Sequence, residues 1–303
     1  MQSNLAKGTL LFIAILSWAI SFPVLKIVLE EIPPITLALI RFLFAIPILY
    51  LGLRMTGKSL DFRSAVRDQP WQFTIFSIGS VTAPNVLQNI GMVHTTATMA
   101  AVLQASGPIF TILLAFIFLH EFIGPLKVGG VVLAITGSLL LVTDGFTSFS
   151  GGMFIGNILL LLTAVAYSFG GISGKMLVGK YGPGRMVLVG FVLGTLLFVP
   201  FSVIELWEGG MISMELDIWL YMVFIIVFPT ALSNLFWFIL LKEMELSKLI
   251  FFAYLIPIFA AVVSYLMLGD IITLRFVAFA SLIIAGVAIA QYARSTPEDK
   301  SPV

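Results

Sequence analysis

Residues 8–29 read GTLLFIAILSWAISFPVLKIVL. About 20 apolar residues cross roughly 30 Å of hydrocarbon as one helix, and this run is that long. It also carries Pro23 and Lys26, a helix breaker and a charge that a purely greasy anchor has no use for. With Lys7 ahead of it and no small-residue cleavage site before Pro23, it reads as a retained first span, not a cleaved signal.

The rest of the chain has the same character. Of its 303 residues 60% are hydrophobic and 10% charged, too few polar groups to face water on all sides. Ten candidate spans appear, at about 8–29, 33–53, 71–93, 97–119, 126–143, 153–177, 186–205, 218–241, 249–268 and 275–293. Joints as tight as EEIPP and HTTA leave no room for a soluble domain between them, and the longest loop is RMTGKSLDFRSAVRDQP. With the amino terminus inside, the inner loops collect Lys7, Arg54, Lys58, Arg63, Arg67, Lys127, Lys180, Arg185, Lys242, Lys248, Arg294 and Lys300, against Arg275 alone outside. Both termini are therefore expected to be cytoplasmic. Three cations, Lys26, Arg41 and Lys175, fall inside spans instead.

Composition also excludes. A net charge of +1 with no basic block removes nucleic acid as a partner. The absence of cysteine removes disulfides and thiolate sites. No HExxH, G-x-S-x-G, Walker motif or pair of acids on one span is present, so no enzyme activity, cofactor or metal is expected.

Shifting the chain against itself by 149 residues aligns Lys26 with Lys175, Pro34 with Pro183, Asn85 with Asn234 and Pro108-Ile-Phe110 with Pro257-Ile-Phe259. The same shift carries Glu121 onto Asp270 and Gly137 onto Gly286. Each copy holds five spans, an odd number, so the two must enter the membrane in opposite directions. The fold expected is an all-α integral membrane protein of ten helices in two inverted five-helix repeats, 1–148 and 149–294, with a cytoplasmic tail at 295–303. Inverted repeats place a substrate site near the midplane and expose it to each side in turn.

These residues resemble the drug/metabolite transporter superfamily, specifically its ten-span EamA-like members. The resemblance rests on Trp18, Phe22 and Lys26, the Pro33-Pro34 joint, Arg41, and the span ends GPIFTILLAFIFLHEFI and IPIFAAVVSYLMLGDII. Those ends are similar to a Pro-(Val/Ile)-Phe…Leu-Gly-Glu signature, with His120 where glycine is usual and Asp270 for glutamate. The resemblance covers both copies and implies a carrier of small metabolites, often an exporter.

Lys26 and its mate Lys175 are expected at the substrate, as anion or carboxylate contacts facing the cavity; the alternative is a lysine snorkelling beside Glu30. Arg41, whose mate is Gly190, is expected to be a structural tie to Glu30, Glu31 or helix ends. Asn85, Gln88 and Asn89, and Asn234 with Trp237, each share a helix face by spacing. Amides are costly against lipid, so Asn85, Gln88, Asn234 and Trp237 are expected to line the cavity, interhelical bonding being the alternative. Gln104 and Tyr254, four and three residues before Pro108 and Pro257, extend that stripe. Trp18 and its mate Tyr167 either stack on a substrate or fill space. Pro23, Pro84, Pro108 and Pro257 are expected hinges. Glu121 and Asp270 are expected to cap the helix that follows each.

The function expected is alternating-access transport, with export of amino acids or similar amphipathic solutes preferred. Spans 1, 3, 4, 6, 8 and 9 would surround the site, with 5 and 10 bracing the halves. Phosphorylated sugars or nucleotide-sugars are the alternative substrates, and a non-transporting membrane assembly subunit is the alternative from another class. The partners expected are a small-molecule substrate and the lipid bilayer; the location expected is a prokaryotic cytoplasmic membrane, and the protein a monomer or homodimer.

Overall fold

The computed structural model describes residues 4–55, 62–119, 124–147, 150–209, 215–244, 249 and 252–292, all helices and short joints. Helix α1 is Asn4–Val28 and α2 is Pro34–Met55. After the short α3, Phe62–Asp68, helix α4, Pro70–Ser77, runs through a π-helical turn, Ile78–Thr82, into α5, Ala83–His94. Helices α6, Ala97–Gln104, and α7, Gly107–Leu119, are separated by a turn at Ala105 and Ser106. Then come α8, Pro125–Val142, α9, Gly151–Tyr181, and α10, Pro183–Gly209. Helix α11, Leu216–Ile225, passes through a second π turn, Ile226–Leu232, into α12, Ser233–Glu243. Helices α13, Leu255–Leu268, and α14, Leu274–Tyr292, complete the described chain.

The starts are written in the sequence. Pro34, Pro70, Pro125 and Pro183 open α2, α4, α8 and α10, where a missing N–H leaves no hydrogen bond unmade. The Thr96 hydroxyl caps α6 by accepting from Met99 N at 3.1 Å. Among the described residues, eight helical segments are long and apolar enough to cross a membrane. The other two expected spans correspond to the stretch from α4 to α5, broken by its π turn and rich in amides, and to the shorter α13. Large apolar side chains such as Phe116, Val132, Leu196 and Leu266 point outward, which is lethal to a water-soluble chain and natural against lipid.

Helix α1 packs on α13 and on the α11–α12 stretch, α9 packs on α6, α7 and the α4–α5 stretch, α2 packs on α10, and α8 on α14. Exchanging residues 149 apart, so that α1 takes the place of α9 and α7 that of α13, converts the first pairing into the second and the last two into themselves. Gly79 in the π turn meets α9 so closely that a Cβ on Gly170 would stand 2.5 Å from Gly79 C and Ser80 N. A Cβ on Gly286 would stand 2.4 Å from Ala134 N of α8. Glycine makes both helix crossings possible.

Two carboxylates tie helix starts across the fold. Glu205 accepts from Ile35 N at 3.1 Å, Thr36 N at 2.6 Å and the Thr36 hydroxyl at 2.8 Å. Asp270 differs from expectation: it accepts from Thr98 N at 3.1 Å and the Thr98 hydroxyl at 2.7 Å, capping α6, not the following α14. The reason is local, because Gly269 ends α13 in the left-handed region at φ 71° and turns the chain back toward α6. Replacing Asp270 by alanine is expected to cost about 1 kcal/mol, read as a lower Tm of the purified protein in detergent. Glu121, the residue aligned with it, lies outside the described residues, as does His120.

Candidate functional site

A cavity of about 300 Å³ opens where α1, α2, α5, α6, α7, α9, α12 and α13 converge. Its wall is built of aligned pairs: Trp18 with Tyr167, Asn85 with Asn234, Gln88 with Trp237, and Pro108 with Pro257. The indole of Trp18 meets that of Trp237 edge to face, with ring centroids 5.5 Å apart. Its Nε1 donates to the Pro229 carbonyl at 3.0 Å.

The π turns explain why polar groups gather here. Widening a helix leaves carbonyls without an amide one turn on, and short polar side chains fill in. Thr82 Oγ1 donates to Ser77 O at 3.3 Å, Thr230 Oγ1 to Ile225 O at 2.7 Å and Ser233 Oγ to Phe228 O at 2.9 Å, all five residues back. Asn85 Nδ2 donates to Val81 O at 2.7 Å, and Asn234 Nδ2 to Pro229 O at 3.1 Å and Thr230 O at 2.9 Å.

Arg41 reaches this cavity from α2 and is 6% exposed. Its Nη1 donates to Asn85 Oδ1 at 3.2 Å and its Nε to the Thr230 hydroxyl. Its guanidinium lies over the Phe42 ring at 5.4 Å. Both hydrogen-bond partners are neutral and are themselves oriented by π-turn carbonyls. No described carboxylate pairs with Arg41, and the cavity wall contains no Asp or Glu. A guanidinium offers five N–H donors, so most of this buried cation's donors stay unspent. Nearby, Gln104 Nε2 and the Tyr254 hydroxyl are buried with no hydrogen-bond partner among the described residues.

The profile of the EamA-like transporter family matches the chain at residues 7–143 and again at 154–292. This chain belongs to the EamA-like transporter family. It is 28% identical over 293 residues to an uncharacterised transporter of Archaeoglobus fulgidus, covering 93% of this chain and 98% of that protein. A probable terminal-alkyne amino-acid exporter of Streptantibioticus cattleyicolor is 24% identical over 262 residues, covering 86% of this chain and 85% of the exporter. A solved crystal structure shares the fold with a TM-score of 0.68 at 18% identity, covering 97% of this chain and all of the other.

On this EamA scaffold, the residues that sequence spacing selected fall into two groups. Trp18, Asn85, Gln88, Gln104, Tyr167, Asn234, Trp237 and Tyr254 stand on the cavity wall. Lys26 and Lys175 do not. Lys26 Nζ donates to Met92 O at 2.5 Å and Val93 O at 3.3 Å, the last carbonyls of α5, a favourable end for a cation. Lys175 is exposed on α9. Arg41, expected to bind Glu30 or Glu31, bonds to Asn85 and Thr230 while both glutamates stay exposed. Asn89 joins α5 to the start of α2 by donating to Pro34 O at 2.9 Å.

The expected hinges divide too. Helix α1 continues through Pro23, whereas Pro84 follows the first π turn, Pro108 opens α7 after a turn, and Pro257 sits in the first turn of α13. Spacing alone missed Ser21, Phe22, Phe42 and Ser80, which also line the cavity. Ser21 and Phe22 follow Trp18 by three and four residues and so share its face, a signal available in the sequence. The contribution of α2 had no such signal.

Proposed function

We propose that this protein is an alternating-access exporter of small amphipathic carboxylates, amino acids among them, with the cavity around Arg41 as its substrate site. The observation that carries the reading is a buried guanidinium without a carboxylate partner among the described residues, set in a wall of aromatics and amides. A buried cation left this way is expensive unless an anion visits it. Arg41 therefore holds the carboxylate, and Trp18, Trp237 and Tyr167 hold the apolar body.

The finer architecture belongs to the same reading: ten spans in two inverted five-helix repeats, 1–148 and 149–294, with both termini cytoplasmic and a short tail after residue 294. It is supported by the family profile matching twice, by helix pairings that exchange under the 149-residue shift, and by π turns at aligned positions. Helices α8 and α14 brace the halves, and the cavity walls are the moving parts. Lys26, near the outer end of α1, ties that helix to the end of α5 and serves as an outer-gate latch in place of a substrate contact. The membrane is the cytoplasmic membrane of a prokaryote, in line with an archaeal and a bacterial relative. Outward transport is favoured by the exporter name of the bacterial relative.

Highly anionic cargo fits poorly. Phosphate groups call for several cations, and this wall offers one. Counterflow in proteoliposomes tests the class: saturable exchange of radiolabelled amphipathic carboxylates is expected, unaffected by excess phosphorylated sugar. Exchange confined to phosphorylated solutes would reject the reading. Trp18→Phe keeps an aromatic face toward Trp237 but deletes the bond to the Pro229 carbonyl, a loss of about 1 kcal/mol. A five- to tenfold rise in KM, roughly what that energy converts to, is expected in the same assay.

A further inference from the structure

We propose that the cavity selects a net monoanion, a carboxylate on an apolar or aromatic body whose amine is absent or acylated, ahead of the free zwitterionic amino acid. This rests on the reading of the cavity as the substrate site and narrows it.

Charge gives the first argument. Arg41 is the one charged side chain on the described cavity wall, and no described carboxylate neutralises it. A monoanion cancels that charge. A zwitterion brings its own cation along and leaves the buried site with a net positive charge.

The hydrogen-bonding inventory gives the second. An ammonium group needs acceptors, and helix carbonyls released at irregular turns usually supply them in transporters. Here those carbonyls are already engaged. Pro229 O accepts from both Trp18 Nε1 and Asn234 Nδ2, Thr230 O accepts from Asn234 Nδ2, and Val81 O accepts from Asn85 Nδ2. Unspent among the described residues are the donors Gln104 Nε2, the Tyr254 hydroxyl and three N–H groups of Arg41, and the acceptors that the neutral amide oxygens of Gln88, Gln104 and Asn234 supply. The neutral amide oxygens can accept from an ammonium but carry no charge to offset it, whereas Arg41 offsets a carboxylate, so the wall suits a carboxylate whose body brings no cation, such as one with an acylated amine. A cavity of about 300 Å³ holds an amino-acid-sized body with one short acyl group.

The test is counterflow in proteoliposomes of the full chain with four solutes: N-acetylphenylalanine, phenylalanine, phenylalaninamide and a phosphorylated sugar. N-acetylphenylalanine is expected to exchange with a KM at least tenfold below that of phenylalanine, and the cationic amide is expected not to exchange. Gln104→Leu removes a wall amide and is expected to raise the KM for N-acetylphenylalanine more than that for phenylalanine, narrowing the gap; Arg41→Gln is expected to abolish the preference with Tm unchanged. Phenylalanine exchanging as well as its acetylated form would overturn the proposal and leave the carboxylate-exporter reading standing. Exchange of the phosphorylated sugar alone, or of none of the four, would count against both.

Discussion

Arg41→Gln is expected to lower kcat/KM for the carried carboxylate by about thirtyfold to a few thousandfold while the protein remains folded. Removing one partner from a buried, hydrogen-bonded charge pair costs about 2–5 kcal/mol, and each 1.4 kcal/mol is tenfold. The fold survives because the partners left behind are neutral. Asn85 keeps its bond to Val81 O and Thr230 its bond to Ile225 O, so no buried carboxylate is orphaned. Arg41→Lys retains the charge but loses the planar fork, so its three donors radiate from one nitrogen and cannot meet a carboxylate bidentately while also bonding Asn85 and Thr230. Its activity is expected to fall between wild type and glutamine. Lys26→Gln provides the contrast, since Lys26 bonds α5 carbonyls away from the cavity. It is expected to change turnover and leave KM near wild type. Initial-rate efflux from proteoliposomes, with Tm measured alongside, checks all three.

Gly170→Val is expected to be the most damaging single change to packing. Its Cβ would stand 2.1 Å from Ser80 Oγ and 2.5 Å from the Gly79 and Ser80 backbone. Backbone cannot swing aside as a side chain can, so α9 and the first π turn must separate. Overpacking of this kind costs typically 1–3 kcal/mol or more. Because Ser80 lines the cavity and Asn85 follows one turn later, transport falls together with Tm. The adjacent residue supplies the control. A Cβ at Gly171 meets nothing within 4 Å, and Gly171→Ala removes a weak helix former, so Tm is expected to hold or rise. Thermal unfolding followed by intrinsic fluorescence in detergent separates the two variants, and equal behaviour would reject this account of the α9 contact.

The sequence carried the apolar segments, the family resemblance and most of the cavity wall, because each depends on local spacing. Asn85 and Gln88, three residues apart, share a face, and aligned Asn234 and Trp237 do the same in the second copy; all four stand on one wall. Roles that depend on distant partners were not legible. Arg41 and Lys26 exchange places relative to their sequence reading: the lysine goes to α5 carbonyls and the arginine to the cavity. The direction of Arg41 is set by Thr230, which the second π turn offers from 189 residues away. Nothing in a linear pattern marks a π turn; Pro84 and Pro229 hint at irregularity without specifying it. Asp270 likewise caps a helix 172 residues distant, because Gly269 reverses the chain, whereas sequence proximity pointed to α14.

The measurement that bears most directly on the central claim exploits the absence of native cysteine. Ser21 lines the cavity beside Phe22 and is buried from the outside of the molecule, so Ser21→Cys places one small thiol in an otherwise inert chain. A membrane-impermeant maleimide is applied to oriented vesicles from either side, with and without a carried carboxylate. The account predicts labelling from both sides, because the site opens to each in turn, and slower labelling when the carboxylate is present. Labelling from one side only, or at a rate that the carboxylate leaves unchanged, would contradict a substrate cavity that alternates across the membrane.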